Sequence, residues 1–239
     1  MTSPEPGPVP GRGGPQRIPR PAGATAGSGP PWAGLPPERR VPSLPVIREA
    51  FANVGPAVPS ISEGDVAHGS AVIALLYDAG QGVHVVLTRR SSGLRAHGGE
   101  VSFPGGRREP GEDLVTTALR ESDEEIGLDP TTVEVIGELD HLSTVTSGSF
   151  IVPYVGILEG EPTLRPNPTE VDAILKVPLH ELLEPENYRE ERWPIYQLDH
   201  PIYFFELVGD TVWGATAAML RQLLGFATGT VARGELHHR

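Results

Sequence analysis

Residues 106–128 read GRREPGEDLVTTALRESDEEIGL, and this stretch places four carboxylates within five consecutive positions. These carboxylates belong to Glu121, Asp123, Glu124 and Glu125. Carboxylates one turn apart on a helix repel each other by roughly a few tenths of a kcal/mol per pair. A chain that concentrates acids in this way is expected to supply or to bind a positive counter-charge.

The spacing within this stretch predicts a helix over residues 112–126 with two distinct faces. At about 100° per residue, five apolar or small side chains share one core-facing arc. They are Val115, Ala118, Leu119, Ser122 and Ile126. Glu121, Glu124 and Glu125 share the neighbouring arc, whereas Asp123 points away from them. Gly127 is expected to end the helix in the left-handed conformation.

Two interpretations of the acidic arc are open, a solvated face and a binding site for a divalent cation. Solvated faces usually mix the two signs of charge, and here only Arg120 interrupts the acids. Mg²⁺ and Mn²⁺ are hard cations that prefer carboxylate and water oxygens. The pattern therefore favours a site for Mg²⁺ or Mn²⁺.

A wider frame of fixed positions resembles the Nudix hydrolase box, Gx5Ex7REUxEExGU, in which U is a bulky apolar residue. The matching positions are Gly106, Glu112, Arg120, Glu121, Glu124, Glu125, Gly127 and Leu128. The chain departs from the pattern at the first U, which is Ser122. A serine there fits the core stripe if its hydroxyl bonds back to the Ala118 carbonyl.

The resemblance implies metal-dependent hydrolysis of a nucleoside diphosphate linked to another group. By position, Glu121 and Glu125 would be metal ligands, and Glu124 would be a third ligand or a base that orients water. Arg120 would hold the acidic cluster by ion pairing, and Glu112 would be its supporting partner.

The stretch immediately upstream, LTRRSSGLRAHGGEVSFPGG (87–106), resembles a second motif, that of the coenzyme A pyrophosphatase branch, LTxRSxxLRxHxGxxxFPGG. Candidate substrate-binding residues are Arg90, Ser91 and Arg95, because guanidinium groups bind phosphate bidentately. Gly105 and Gly106 would let the backbone approach the phosphate or the metal. Arg89 is the weaker candidate because neighbouring strand residues face opposite ways, and Ser91 is expected to hold a turn.

The remaining sequence predicts an α/β fold, with a mixed β-sheet between helices, and the resemblance implies the Nudix α/β/α sandwich. Strands are predicted over 71–90 as a hairpin, and over 100–106, 132–139, 150–158, 173–179 and 201–208. Helices are predicted over 44–54 and 212–226, with a short one after residue 179. Asp210 or Thr211 is the expected cap of the helix over 212–226.

The folded domain is expected over residues 44–226. Residues 1–40 are rich in Pro and Gly, so we expect a disordered tail there. A short C-terminal tail is expected over residues 227–239.

Composition restricts the partners. A net charge of −12 argues against a nucleic-acid binder. The absence of cysteine excludes thiolate chemistry. No apolar run is long enough to span a membrane, so a cytoplasmic protein is expected. The sequence does not indicate an oligomeric state.

Three functions follow as hypotheses. The first is hydrolysis of coenzyme A or acyl-coenzyme A to 3′,5′-ADP and a 4′-phosphopantetheine. The second is hydrolysis of another diphosphate such as NADH, ADP-ribose or an oxidised nucleotide. The third is a non-catalytic module that senses a nucleotide. Glu170, on a separate loop, is an alternative base to Glu124.

Overall fold

The computed structural model describes residues 11–59, 69–94, 96–143, 150–195 and 198–235. The strands in this part of the chain are β1 (Thr25–Ala26), β2 (Ser70–Asp78), β3 (Val83–Arg90), β4 (Val101–Ser102), β5 (Gly105–Arg107), β6 (Val133–Glu138), β7 (Leu142–Ser143), β8 (Phe150–Leu158), β9 (Val171–Pro178), β10 (Tyr188–Ile195), β11 (Leu198–Glu206) and β12 (Thr211–Trp213). The helices are α1 (Leu44–Asn53), α2 (Leu114–Ile126), α3 (Leu179–Leu182) and α4 (Gly214–Thr228). None of these helices combines the length and the apolar character needed to cross a membrane.

The larger sheet is mixed and carries the order β4-β3-β2-β8-β6, with β5 beside β2, β7 beside β8 and β9 beside β3. Strands β2 and β8 run parallel, and the other pairs in this sheet are antiparallel. The predicted hairpin over 71–90 is confirmed as β2 and β3.

Helices cover both faces of this sheet, which confirms the predicted α/β fold. Successive strand residues face opposite sides, so Ile73 and Leu75 pack in one cluster with Ala118 of α2. Ala74, between them, and Leu76, which follows, pack in the other cluster with residues of α1 and α4, including Phe51. The sheet therefore lies between α2 on one side and α1 with α4 on the other.

The local sequence accounts for both ends of helix α2 and for its buried serine. Asp113 caps the first turn by accepting a hydrogen bond from the Thr116 amide at 2.8 Å. The Ser122 hydroxyl donates to the Ala118 carbonyl at 2.7 Å, so a buried serine fits where the Nudix box has an apolar residue. Gly127 ends the helix with φ of 63°, as predicted.

A second, antiparallel sheet has the order β1-β10-β11-β12. The sequence predicted β11 but not β10, whose segment has four consecutive charged residues between Tyr188 and Trp193 and no apolar run. The predicted caps of α4 are corrected. Thr211 lies in β12, and Trp213 precedes the helix without a side-chain cap.

Residues 11–40, which composition predicted to be disordered, pack against the domain. Trp32 is fully buried, with its ring stacked on Phe205 and edge-on to Tyr188. Thr25 and Ala26 pair with β10. One large buried ring and paired backbone act against the ordering cost that a Pro- and Gly-rich segment carries, and composition alone shows neither. Residues 1–10 lie outside the described residues.

The folded domain also extends beyond its predicted C-terminal boundary at residue 226. Helix α4 continues to Thr228, and the chain then folds back onto the buried Asp140. The Asp140 carboxylate accepts hydrogen bonds from the Arg233 side chain at 3.1 Å and the Gly234 amide at 2.7 Å. The tail expected from residue 227 is therefore packed as far as residue 235.

Candidate functional site

Strand β5 brings two glycines against the acidic face of α2. Gly106 lies opposite Ala71 of β2, and a Cβ atom at Gly106 would stand 2.4 Å from the Glu121 Cδ atom. Only glycine leaves room for that carboxylate. Gly105 has φ of 143°, and a Cβ atom there would stand 2.3 Å from the Ala71 carbonyl oxygen. The two glycines thus let backbone and carboxylates approach closely.

Arg120 is the centre of an ion-pair network on α2. Its guanidinium lies 2.9 Å from Glu112, 3.2 Å from Glu121 and 3.1 Å from Glu124. It also donates to the Arg107 carbonyl at 3.1 Å. The Arg120 hydrogen bond lowers the pKa of Glu112 to about 2, with help from the Thr117 hydroxyl. Arg120 thus contacts the acidic residues that the resemblance implied it would hold.

Glu125 lies in a different environment from the other acids. It is 2% exposed and accepts a hydrogen bond from the Gly105 amide at 3.2 Å. Arg90 stands 3.7 Å away, too far for a hydrogen bond. Burial raises the pKa of Glu125 to about 7, although the Gly105 amide and Arg90 oppose it and Glu121 and Glu170 add to it.

Glu121 is also held in unfavourable surroundings for an anion. Burial raises the pKa of its carboxyl group, Arg120 opposes that effect, and the charges of Glu124 and Glu170 reinforce it. Glu170 therefore acts electrostatically on both Glu121 and Glu125, from a loop outside α2.

The structure brings the predicted metal ligands together only in part. Within the described ranges, no three acidic or histidine side chains form a group that could hold a metal ion. The Glu124 side chain is 54% exposed and turned to Arg120, whereas Glu125 is buried beside Gly105. The assignment of Glu121, Glu124 and Glu125 as metal ligands stays a prediction.

The loop after β3 carries the upstream motif and lies beside the acidic cluster. The Ser91 amide donates to the Glu170 carbonyl at 2.7 Å, and the Ser91 carbonyl accepts from Leu94 at 3.1 Å. Ser91 thus holds a turn, as expected. Arg95 lies outside the described residues.

Arg89 faces away from Arg90, as strand alternation predicted. Its guanidinium lies 3.1 Å from the Asp210 carboxylate, which is 3% exposed. Asp210 also accepts from the Gln16 side chain at 2.8 Å. Gln16 was not predicted from the sequence, because a single glutamine in a Pro- and Gly-rich segment gives no signal of such a contact.

Comparison with known proteins shows which family this chain resembles. The model of the NUDIX domain family matches residues 67–198. "Nudix hydrolase 22, chloroplastic" of Arabidopsis thaliana is 40% identical over 164 residues, covering 63% of this chain and 52% of that protein. "Uncharacterized Nudix hydrolase NudL" of Photorhabdus laumondii is 38% identical over 140 residues, covering 58% of this chain and 74% of that protein. The chain thus spans about half the length of the plant relative.

Solved structures include a C. elegans Ap4A hydrolase in a binary complex, which has a TM-score of 0.43 at 16% identity and covers 50% of this chain and 85% of that one. The family model covers more than half of the chain, and its match includes the glycines of β5 and all of α2. The chain therefore belongs to the Nudix hydrolase family.

Proposed function

We propose that this protein hydrolyses the pyrophosphate of coenzyme A and its derivatives, releasing 3′,5′-ADP and a 4′-phosphopantetheine in the presence of Mg²⁺ or Mn²⁺. The observation that carries the proposal is the environment of Glu125. Gly105 and Arg90, both from the coenzyme A-type motif, lie against this carboxylate of the Nudix helix. The two motifs meet at one group.

The chemistry of the donor set fits a divalent cation. Burial and neighbouring carboxylates raise the pKa values of Glu121 and Glu125, and a nearby cation would reverse that effect. Glu121 and Glu125 would hold the metal, with Glu124 as a third ligand or as the base. When bound, the metal would neutralise charge on the pyrophosphate and lower the pKa of a water molecule.

Arg120 and Glu112 have orienting roles in this proposal. Arg120 fixes the orientation of Glu121 and Glu124, and Glu112 fixes Arg120 in turn. These ion pairs restrict the rotation of the acidic side chains, including that of the half-exposed Glu124. The variant Arg120→Lys tests this role of Arg120. It keeps the positive charge but loses the planar fork of the guanidinium, and it is expected to lower kcat.

Substrate phosphates would be bound by Arg90 at the end of β3 and by Ser91 and Arg95, with the backbone of Gly105 and Gly106. Arg90 stands beside Glu125, so we assign Arg90 to the pyrophosphate. Arg95 is then the candidate for the 3′-phosphate, the group that distinguishes coenzyme A from most other diphosphates.

Two carboxylates are candidates for the base, Glu124 and Glu170. Glu124 is tied to Arg120 at 3.1 Å, whereas Glu170 acts electrostatically on both Glu121 and Glu125. Comparing Glu124→Gln with Glu170→Gln separates them, because loss of the base removes the low-pH limb of the kcat profile.

The experiment that tests the function compares coenzyme A with dephospho-coenzyme A, ADP-ribose and NADH, with Mg²⁺ present and the products separated. Coenzyme A is expected to be cleaved fastest. Arg95→Ala is expected to lower kcat/KM for coenzyme A roughly ten- to hundredfold, and to affect dephospho-coenzyme A much less. Arg90→Ala is expected to affect both substrates equally. The exposed Arg39 provides the matched control, Arg39→Ala.

A preference of the wild type for ADP-ribose or NADH would replace the coenzyme A assignment by the second hypothesis, another Nudix substrate. Binding without turnover of any diphosphate would favour a nucleotide-sensing module. The proposal places the reaction in the cytoplasm, and cell fractionation tests that placement.

A further inference from the structure

Gln16 connects the N-terminal segment to the loop formed by residues 91–99, which we call the 91–99 loop. Its side-chain amide donates to the Gly99 carbonyl at 3.1 Å and to the Asp210 carboxylate at 2.8 Å. Its carbonyl oxygen accepts from the Thr211 amide at 2.8 Å. One side chain thus joins three separate segments.

The Gly99 carbonyl is at the closing end of the 91–99 loop. The Gly99 amide donates to the Arg90 carbonyl at 3.0 Å, and the Arg90 amide donates to the Glu100 carbonyl at 2.9 Å. Because Gly99 is paired with Arg90, a contact that fixes Gly99 also fixes the backbone of Arg90.

The opening end of the loop is held from another direction. The Ser91 amide bonds to the Glu170 carbonyl, and the Ser92 amide donates to the Asp172 carboxylate at 3.0 Å. Both of those partners belong to the domain itself. Gln16 supplies a contact at the closing end from a part of the chain that precedes the family match, which begins at residue 67.

Gln16 is itself anchored on both sides. The Gly13 amide donates to the Leu207 carbonyl at 2.7 Å, and the Arg12 side chain pairs with Glu181 at 2.5 Å. On the other side, Trp32 is fully buried. The side-chain amide of Gln16 is therefore presented to Gly99 and Asp210 by a segment that is attached to the domain before and after it.

We propose that Gln16 is a positioning residue for substrate binding, which holds the closing end of the 91–99 loop so that Arg90 meets the substrate phosphates. For the identity of the substrate this inference rests on the proposed function. Gln16 does not contact the carboxylates of α2 through any described interaction, so its loss acts on binding rather than on the hydrolytic step.

The first test measures KM and kcat for coenzyme A with Mg²⁺. Gln16→Ala is expected to raise KM about tenfold, the effect of losing one or two hydrogen bonds that include a charged partner, while kcat changes less than about twofold. Gln16→Glu cannot donate to Gly99 and places a charge beside Asp210, so its KM is expected to rise at least as much. Arg17→Ala, at an exposed neighbour, is the control and should match the wild type. An unchanged KM in Gln16→Ala overturns the proposal, whatever happens to kcat.

The second test does not depend on the substrate. Hydrogen exchange at the Arg90 and Gly99 amides is expected to be faster in Gln16→Ala than in the wild type, with exchange in α2 unchanged. Equal exchange in the two proteins overturns the proposal. If the wild type fails to cleave coenzyme A, the proposed function fails but this measurement still decides the role of Gln16.

Discussion

Replacing Glu125 by glutamine tests the electrostatics of the site without changing its shape. Glu125 is 2% exposed and accepts one hydrogen bond, from the Gly105 amide. The amide oxygen of a glutamine can accept that bond in the same place. The substitution therefore removes the charge of the side chain and leaves its packing nearly unchanged.

The expected effect on stability follows from the pKa of Glu125. Burial raises that pKa from 4.5 to about 7, and each tenfold change in proton affinity corresponds to about 1.36 kcal/mol. Below the pKa that Glu125 has in the unfolded chain, both states are protonated, and the pKa shift does not change the free energy of unfolding. As the pH rises from about 4.5 to about 7, the unfolded chain releases its proton first, so the wild type loses stability, by about 3 kcal/mol at most.

The assay is urea unfolding of both proteins in EDTA at pH 5 and at pH 8.5. We expect the free energy of unfolding of Glu125→Gln to exceed that of the wild type by about 1–3 kcal/mol at pH 8.5 and by much less at pH 5. Adding Mg²⁺ should stabilise the wild type more than the variant, because a ligand stabilises the state that binds it. Hydrolysis by the variant is expected to fall by at least about a hundredfold.

Asp123→Asn is the matched control, since it removes one carboxylate from an exposed position of the same helix. Because this variant keeps Glu125, its free energy of unfolding should change between these two pH values as that of the wild type does. If Glu125→Gln is less stable than the wild type in EDTA at pH 8.5, the ionised carboxylate is not destabilising and the argument fails.

Three further predictions concern the rest of the structure. Glu121→Gln should lower kcat at least about a hundredfold with the fold intact by circular dichroism, and near-normal turnover at saturating Mg²⁺ would remove Glu121 from the metal site. Trp32→Ala should cost about 3–5 kcal/mol in urea unfolding because the ring is fully buried, whereas a loss below about 1 kcal/mol would mean that the N-terminal segment does not pack. The pKa of Glu112 is lowered to about 2, so its contribution is present above pH 4.5 and lost as the pH falls towards 2. Melting temperatures from pH 2 to 6 should therefore fall more in the wild type than in Glu112→Gln, and parallel curves would contradict this.

Helix α2 was predictable because its determinants are local. The 3.6-residue period gives the buried stripe, and Gly127 and the Ser122 hydroxyl each act within one or two turns. The burial of Glu125 could have been predicted from the sequence, although the predicted acidic face of the helix grouped Glu125 with Glu121 and Glu124. Glu125 follows Ala118 by seven residues, nearly two full turns, so it points almost where a fully buried residue points.

The packing of residues 11–40 was not predictable from composition. Trp32 binds a surface that Tyr188 and Phe205 provide, more than 150 positions away along the chain. The position of Gln16 likewise depends on Gly99 and Asp210, which only the tertiary fold brings together. Such contacts depend on the surface of the domain against which residues 11–40 pack. The sequence of residues 11–40 itself carries little information about that surface.

The charges within the site can be counted directly. In the ion pairs of the site, four carboxylates, those of Glu112, Glu121, Glu124 and Glu125, face two guanidinium groups, those of Arg90 and Arg120. The charge of Glu170 acts on Glu121 and Glu125 in addition to these pairs. Four negative and two positive charges leave a net charge of −2 above the pKa of Glu125, so Arg120 accounts for only part of the counter-charge. A divalent cation would balance the charge of these paired groups, whereas a monovalent one would leave half of it uncompensated. Removing Arg120 would raise the deficit to −3 and free three carboxylates to turn towards solvent. The arginine and a bound metal would therefore have distinct tasks, because the arginine would orient the acids and the cation would compensate the charge that they keep.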